Sequence, residues 1–153
     1  MIWRAMRVGD LPAADVLADQ TYPDHFERPA IMEERLRLAP DWCFVLVEGE
    51  RLLGYLVSHP WAGPPPALDT LLGGLPAHPD HHYLHDLALA PAARGAGHAA
   101  ALLRRFADVA DVRLMAVGVS PPFWQRQGFV TLPIAAEKLA SYGPGAAYMG
   151  RRV

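Results

Sequence analysis

The stretch that decides the fold is Leu87–Leu103, which reads LALAPAARGAGHAAALL. It continues an apolar segment that begins at Tyr83 and is interrupted only by His85 and Asp86, a composition typical of a strand buried within a sheet. Pro91 ends that strand, and a glycine-rich turn follows. The stretch therefore predicts a buried strand, a tight turn and a helix in immediate succession.

The helix is predicted from the spacing of the apolar residues after the turn. They are Ala99, Leu102, Leu103, Phe106 and Val109 or Ala110, with Arg104, Arg105 and Asp108 on the solvent face. The first N–H groups of a helix lack partners, and the macrodipole attracts anions there. Gly95 and Gly97 permit positive φ and close approach of a phosphate, and Arg94 adds a cation suited to phosphate geometry. The turn thus indicates phosphate binding.

Two other interpretations of this turn remain open. Gly95-x-Gly97-x-x-Ala100 also fits the dinucleotide fingerprint G-x-G-x-x-G/A. That fingerprint expects an acidic residue after the next strand, but the predicted strand Arg113–Val119 is followed by Ser120 and two prolines. In the plainest interpretation, the glycines only turn the chain between strand and helix. The missing acidic residue makes a dinucleotide site the weaker alternative.

The turn carries a family resemblance. Arg94-Gly95-Ala96-Gly97-His98-Ala99 satisfies the pattern Arg/Gln-x-x-Gly-x-Gly/Ala at every defined position and resembles the acetyl-coenzyme A (acetyl-CoA) loop of the GNAT N-acetyltransferases. A second segment, VSPPFWQRQGF at Val119–Phe129, resembles the short helix and Gly-Phe that follow the fifth strand in that family. The resemblance implies a V-shaped splay between strands four and five, with the pantetheine arm of acetyl-CoA in the gap.

The resemblance also implies cofactor-binding roles for particular residues. Backbone pairing with the pantetheine amides falls to Leu87, Ala88 and Leu89, and binding of the pyrophosphate to Arg94, Gly95, Ala96, Gly97, His98 and Ala99. The short helix that closes over the arm supplies Ser120, Phe123, Trp124 and Arg126. Without the resemblance, the aromatic residues of this segment are simply core residues around a turn.

Periodicity along the rest of the chain predicts one α/β domain over residues 1–153, with a mixed central sheet and the order β-α-α-β-β-β-α-β-α-β-β. The predicted strands are Ile2–Val8, Trp42–Glu48, Leu52–His59, Tyr83–Leu89, Arg113–Val119, Phe129–Leu132 and Ala146–Arg152. Asp10 is predicted to cap a first helix that runs through Gln20, and a second helix ends at Ala39 before Pro40. This order is similar to the GNAT fold.

Acetyl transfer to an amine, the activity that the resemblance implies, requires a base, because a lysine-like amine has a pKa of about 10.4. Asp86 and His85 are the candidates, since a polar group in a buried strand must be compensated. Alternation along the strand lets only one of them face the cleft unless a bulge intervenes. We favour Asp86, because GNAT enzymes often carry a carboxylate near this point that acts through water. A purely structural pairing within the sheet is the alternative.

The departing thiolate also needs a proton or stabilisation. Many GNAT enzymes use a tyrosine of the short helix, often in a Phe-Tyr pair, but the pair here is Phe123-Trp124, and an indole cannot act as that acid. Tyr142 and Tyr148 are candidates in its place, because the C-terminal tail is expected to return beside the fifth strand. The alternative is that both tyrosines pack in the core with their hydroxyls satisfied.

The segment Pro60–His81 is rich in proline and glycine, so we expect an irregular loop there, either part of the substrate entrance or without a role. His78, His81 and His82 lie in or beside it, and His85 lies at the mouth of the cleft. The first three are expected to be surface residues, and no metal site is predicted, because no cysteine and few carboxylates are near in sequence.

Composition limits the partners. A length of 153 residues fits a single domain, the net charge of −2 argues against nucleic acid, and no apolar run predicts a membrane span. No signal peptide is recognised, so a cytoplasmic location is expected, and Cys43 is interpreted as a buried inert thiol. The acidic residues Asp24, Glu27, Glu33 and Glu34 suit a cationic amine or are simply solvated. A homodimer is left open.

The predicted function is transfer of an acetyl group from acetyl-CoA to a primary amine of a small molecule or peptide. Because the usual tyrosine is replaced by Trp124, a non-enzymatic acyl-CoA-binding or sensing module is the alternative. Turnover with any amine would exclude that alternative.

Overall fold

The computed structural model describes residues 1–152, which form one seven-stranded mixed sheet covered by helices on both faces. The strands are β1 (Ile2–Ala5), β2 (Cys43–Glu48), β3 (Arg51–Trp61), β4 (His81–Leu89), β5 (Asp111–Ala116), β6 (Val130–Thr131) and β7 (Ala147–Arg152). The helices are α1 (Leu11–Thr21), α2 (Pro29–Leu38), α3 (His98–Leu103), α4 (Pro121–Arg126) and α5 (Ala136–Ala140). The spatial order of the strands is β1-β2-β3-β4-β5-β7-β6, which confirms the predicted mixed α/β fold.

The core divides between the two faces of the sheet, because side chains alternate along each strand. On one face, α1 and α2 pack on Val45, Tyr55 and Val57. On the other face, α3 and α4 pack around Phe44 and Leu114. The sequence pattern predicted the buried residues of α3 correctly, although that helix ends at Leu103 and continues as a single 3-10 turn.

The strands β4 and β5 are parallel, and they pair over only three residues. The pairs are His82 with Val112, Tyr83 with Arg113 and Leu84 with Leu114. Beyond Leu84, β4 continues to Leu89 beside β3, while β5 stays beside β7 as far as Ala116. The two strands therefore part as a V, as predicted, and one edge of β4 faces a gap instead of another strand.

The N-terminal segment differs from its prediction. β1 ends at Ala5, and a 3-10 turn precedes α1. Asp10 does not cap α1 with its side chain; its carboxylate instead accepts a hydrogen bond from the Arg7 N–H at 2.7 Å and pairs with Arg4 at 2.8 Å. Arg4 and the backbone of the 3-10 turn therefore bind the carboxylate that was expected to cap α1. The local sequence does not reveal this competition.

The proline-rich loop is shorter than predicted. β3 extends through Pro60 to Trp61, and β4 begins at His81, so only residues 62–80 are irregular. A proline is tolerated in this strand because β2 pairs with β3 only as far as Val57, which leaves β3 a free edge near Pro60.

The remaining differences lie near the C-terminus. β5 begins and ends earlier than predicted, and its end is followed by a turn in which Gly118 has a φ of +58°. The short helix α5 between β6 and β7 was not predicted. No helix within residues 1–152 is both long and apolar enough to cross a membrane.

We expect Gly54→Ala to destabilise the protein by about 1–3 kcal/mol, the usual cost of overpacking. A Cβ at Gly54 would lie 3.0 Å from the Ala88 carbonyl oxygen and 2.7 Å from Leu89 Cδ2, at the junction of β3 and β4. Gly9→Ala is the matched control, because no atom lies within 4 Å of its added Cβ. The free energies of unfolding of both variants, measured in urea, check this expectation; equal values would contradict the tight contact.

Candidate active site

Two connected cavities follow the open edge of β4. The larger, which we call the groove, has a volume of about 510 Å³, and the smaller, which we call the inner pocket, about 90 Å³. Residues that line both are Tyr22, His25, Leu87, Val117, Ser120 and Trp124. A ligand that lay in the groove would therefore meet a second molecule in the inner pocket at this junction.

The groove brings together most of the residues predicted to hold the cofactor. Those that line it are Leu87, Ala88, Leu89, Arg94, Ala99, Ser120, Phe123 and Trp124. Gly95, Ala96, Gly97 and His98 form the turn between Arg94 and Ala99 at the end of the groove. Arg126 does not line the groove, because it lies exposed near the end of α4.

The glycine turn has the backbone conformation that was expected. Gly95 and Gly97 both have a φ of +80°, and no atom lies within 4 Å of a Cβ built at either. Gly97 directly precedes α3, so the free N–H groups of the first turn lie beside this open space. Arg94 Nε donates to the Leu89 carbonyl at 3.0 Å, which ties the turn to the end of β4.

A β-bulge places two titratable residues at the inner pocket. Val57 of β3 pairs with Asp86, and Ser58 pairs with Leu84, so His85 is the extra residue. Both His85 and Asp86 consequently line the inner pocket, whereas regular alternation would have brought only one of them there.

The environments of these two residues differ. Burial raises the pKa of Asp86 to about 6, although the Tyr55 hydroxyl donates a hydrogen bond to its carboxylate at 2.7 Å. His85 Nε2 lies 2.8 Å from Glu27 Oε1. Burial opposes ionisation of Glu27, but the hydrogen bond from His85 and neighbouring groups outweigh it and lower the Glu27 pKa. The pocket therefore holds a carboxylate that titrates near neutrality and a histidine held by a second carboxylate.

Tyr22 is a site residue that sequence analysis missed. It follows α1, lines both cavities, and donates its hydroxyl to the Leu87 carbonyl on β4. Burial raises its pKa, so the hydroxyl stays protonated. Tyr22 carries no local sequence signal, because it reaches the site from the α1–α2 connection through tertiary packing. Glu27 comes from the same connection and is one of the four acidic residues expected to suit a cationic amine or to be solvated.

The candidates for the proton donor occupy different places. Tyr142 lines the inner pocket and donates its hydroxyl to the Pro66 carbonyl at 2.7 Å, and burial raises its pKa to about 12. Tyr148 lines neither cavity, and its hydroxyl accepts a hydrogen bond from Arg113 at 3.3 Å. Trp124 lines both cavities and packs edge-on against Phe129, with ring centroids 5.3 Å apart.

The four acidic residues of the α1–α2 region do not form one cluster. Asp24 lines the groove, Glu27 lines the inner pocket, and Glu33 is exposed on α2. Glu34 is buried and accepts hydrogen bonds from the backbone of the 62–80 loop. Of these four, Glu27 is the one that lines the inner pocket.

Two of the histidines that were predicted to lie on the surface are buried. His81 and His82 are buried in β4 instead of lying on the surface, because β4 begins earlier than predicted. His82 Nε2 lies 2.9 Å from Ser58 Oγ, and burial lowers the His82 pKa to about 3 and that of the neighbouring His59 to about 4. Within residues 1–152, no three His, Cys, Asp or Glu side chains are grouped so as to hold a metal ion.

The chain is an α/β protein with a mixed sheet that splits between two parallel strands. A glycine turn lies at one end of the split and polar residues lie at the other. The model of the Acetyltransferase (GNAT) family matches residues 12–129. The chain belongs to this family. Family membership supports acyl-CoA-dependent acetyl transfer as its class of activity.

Solved structures share the fold. GphF, a GNAT-like decarboxylase in complex with isobutyryl-CoA, is 16% identical, with 99% of each chain covered and a TM-score of 0.78. Ard1 from Thermoplasma volcanium is 18% identical, with 99% of this chain and 97% of that chain covered and a TM-score of 0.71.

A third structure is Chaetomium thermophilum Naa20 in complex with a bisubstrate analogue. It is 16% identical, with 100% of this chain and 87% of that chain covered and a TM-score of 0.71. No curated protein matches this chain.

We expect the buried His82 to make the protein sensitive to acid. Its folded pKa of about 3 lies below the unfolded value of about 6.5, so between these values the unfolded chain binds more protons and stability falls as the pH falls. Between pH 7 and pH 5, wild type should lose about 2 kcal/mol more unfolding free energy than His82→Gln. His78→Gln, at an exposed position, should follow wild type. Parallel profiles for wild type and His82→Gln would contradict the burial of a neutral imidazole.

Proposed function

We propose that this protein transfers the acetyl group of acetyl-CoA to a primary amine. The observation that supports this most is the continuity of the two cavities, which joins the glycine turn to a pocket that contains Asp86 and His85. A long anionic cofactor fits the groove, and an amine fits the inner pocket.

The proposed cofactor lies along β4. Its pyrophosphate binds the turn Arg94–Ala99, where no atom lies within 4 Å of a Cβ built at Gly95 or Gly97 and the Arg94 side chain is exposed. Its pantetheine amides pair with the free edge of Leu87–Leu89, which has no strand beside it. The thioester then reaches the junction of groove and pocket, beside Tyr22, Ser120 and Trp124.

The proposed base is Asp86, either directly or through a water molecule. With a pKa of about 6 it is ionised at neutral pH and still basic enough to accept a proton as the amine attacks. The nitrogen forms a bond to the acetyl carbon, the carbon–sulfur bond breaks, and the thiolate leaves. His85, held by Glu27, is the second candidate for the base.

The proposed stabilisation of the thiolate comes from hydroxyl groups. Tyr142 lines the inner pocket and Tyr22 lines the junction, and both remain protonated because burial raises their pKa values. Each hydroxyl donates to a backbone carbonyl, of Pro66 or Leu87, and must exchange that acceptor for the thiolate as the charge develops. A group with a pKa of about 12 donates a hydrogen bond to a thiolate more readily than it gives up its proton. The thiolate therefore takes its proton from water or from protonated Asp86.

A second candidate function is an acyl-CoA sensor without turnover. The observation that favours it is Trp124, which stands in the short helix where many GNAT enzymes have a tyrosine that acts as an acid. Trp124 is buried and packs on Phe129. In a sensor the groove would bind acyl-CoA, and the inner pocket would hold no acceptor.

Calorimetric titration with acetyl-CoA, followed by addition of a panel of amines and a free-thiol assay, separates the two candidates. Binding followed by amine-dependent thiol release supports the transferase. Binding without release with every amine supports the sensor. Absence of binding, or tighter binding of a nicotinamide dinucleotide, overturns both.

We expect Gly97→Asp to abolish acetyl-CoA binding while the fold is retained. The added Cβ meets no atom within 4 Å, so the protein has room for it, but its carboxylate would lie where the pyrophosphate binds. Gly97→Asn is the matched control, because asparagine tolerates the φ of +80° and carries no charge. Calorimetry should show a larger loss for the aspartate variant, and wild-type affinity in that variant would place the cofactor elsewhere.

We expect kcat/KM to rise with pH around pH 6 as Asp86 ionises, and this limb of the pH profile is separate from the rise caused by deprotonation of the amine. Asp86→Asn should remove this limb and lower kcat by about 10²–10⁴-fold, with little change in acetyl-CoA affinity. Tyr55→Phe tests the same assignment while keeping Asp86. It removes the hydrogen bond that stabilises the Asp86 carboxylate, so the rise of kcat/KM should move to higher pH. An unchanged pH profile in both variants would remove Asp86 from the mechanism.

A further inference from the structure

The 62–80 loop is held against the inner pocket by hydrogen bonds from three other segments. Tyr142, in the connection between α5 and β7, donates its hydroxyl to the Pro66 carbonyl at 2.7 Å. Glu34 of α2 accepts the backbone N–H groups of Leu72 at 2.6 Å and Gly73 at 3.0 Å. In the α1–α2 connection, Glu27 Oε2 accepts the Asp69 N–H at 2.9 Å, and Arg28 binds the Asp69 side chain at 3.0 Å.

These contacts make the loop a wall of the pocket. Leu68 lines the inner pocket between the anchored positions Pro66 and Asp69. His25 Nε2 also lies 2.7 Å from the Tyr142 carbonyl oxygen, so the α1–α2 connection, Tyr142 and the loop form a continuous chain of hydrogen bonds beside the pocket. This chain of hydrogen bonds, called the ring below, borders the pocket, so an acceptor that lies there contacts it.

The inner pocket is small. Its volume of about 90 Å³ is less than that of a protein cavity of about 150 Å³ that takes up benzene. Typical ligand pockets have volumes of about 300–1,000 Å³. The pocket therefore suits the amine and a few carbon atoms around it, and it does not suit a peptide backbone that continues from the α-carbon.

The charge of the pocket also disfavours acceptors that carry a carboxylate. The described residues that line it include the carboxylates Glu27 and Asp86 and no lysine or arginine. Arg35 does not line the pocket; it is fully buried and donates to Glu34 at 2.9 Å and to the Thr70 carbonyl at 3.0 Å. A carboxylate on the acceptor would meet the carboxylates of Glu27 and Asp86, and no lysine or arginine lines the pocket to bind it. His85 and the nearby Arg35 already act on Glu27.

We propose that the acceptor is a compact primary amine with no carboxylate or peptide group on the carbon that bears the nitrogen. This inference rests on the proposed acetyl transfer and narrows its substrate class. It separates this chain from a peptide acetyltransferase with the same fold, because the loop that Tyr142 holds at Pro66 leaves little space in the inner pocket for the rest of a peptide.

The test compares three acceptors that share one carbon skeleton: isobutylamine, valine and a tetrapeptide that begins with valine. We expect kcat/KM for isobutylamine to exceed the other two by at least about tenfold, the effect of one unfavourable contact of about 1.4 kcal/mol. The α-amino group of a peptide has a pKa of only about 7.7–8.0, so more of it is reactive at neutral pH. A preference for isobutylamine would therefore arise from the pocket and not from amine basicity.

Two variants test the ring itself. Tyr142→Phe removes the hydrogen bond to Pro66, and we expect the ratio of tetrapeptide to isobutylamine kcat/KM to rise about fivefold, as for loss of one hydrogen bond. Tyr148→Phe, a buried tyrosine outside both cavities, should leave the ratio unchanged. The ratio is the readout because loss of a thiolate-stabilising hydroxyl would lower both rates by the same factor.

The outcomes are distinguishable. Equal or faster acetylation of valine or the tetrapeptide overturns the inference while leaving acetyl transfer established, and so does a Tyr142→Phe variant whose two rates change by the same factor. If acetyl-CoA binds but no amine of any class releases thiol, the proposed acetyl transfer itself fails, and the inference fails with it.

Discussion

The site depends on the parting of β4 and β5 after Leu84 and Leu114. A buried strand must find partners for its backbone groups, and from His85 to Leu89 one edge of β4 has no strand beside it. The Tyr22 hydroxyl satisfies the Leu87 carbonyl and Arg94 Nε satisfies the Leu89 carbonyl. The edge otherwise borders the inner pocket and the groove. The split thus supplies both the space for a long ligand and the backbone groups that would bind it.

The bulge at His85 makes the closed end of the split polar, where β4 and β5 begin to part. By adding one residue to β4, it brings His85 and Asp86 to the same pocket and places Asp86 within hydrogen-bond distance of Tyr55 on β3. Burial then raises the Asp86 pKa towards neutrality, while Glu27 holds His85 from outside the sheet. The proposed proton transfer depends on this local irregularity as much as on residue identity.

Sequence patterns predicted the parts of the structure that short-range physics determines. Alternating and continuous apolar runs located the strands, and the positive φ of Gly95 and Gly97 followed from the glycine turn. The failures arose where tertiary contacts override local preference. Arg4 engages Asp10, which was expected to cap a helix, and a longer β4 buries His81 and His82. Tyr22 and Glu27 reach the site from a connection whose path the sequence does not specify.

The central claim, that an acyl-CoA arm lies along the open edge of β4, is tested most directly by following backbone amide chemical shifts during titration with acetyl-CoA. The account predicts saturable shifts at Leu87–Leu89 and in the turn Arg94–Ala99, with much smaller changes where β4 still pairs with β5 at His82–Leu84. Saturable shifts confined to other elements, with the edge of β4 and the glycine turn unaffected, would contradict it.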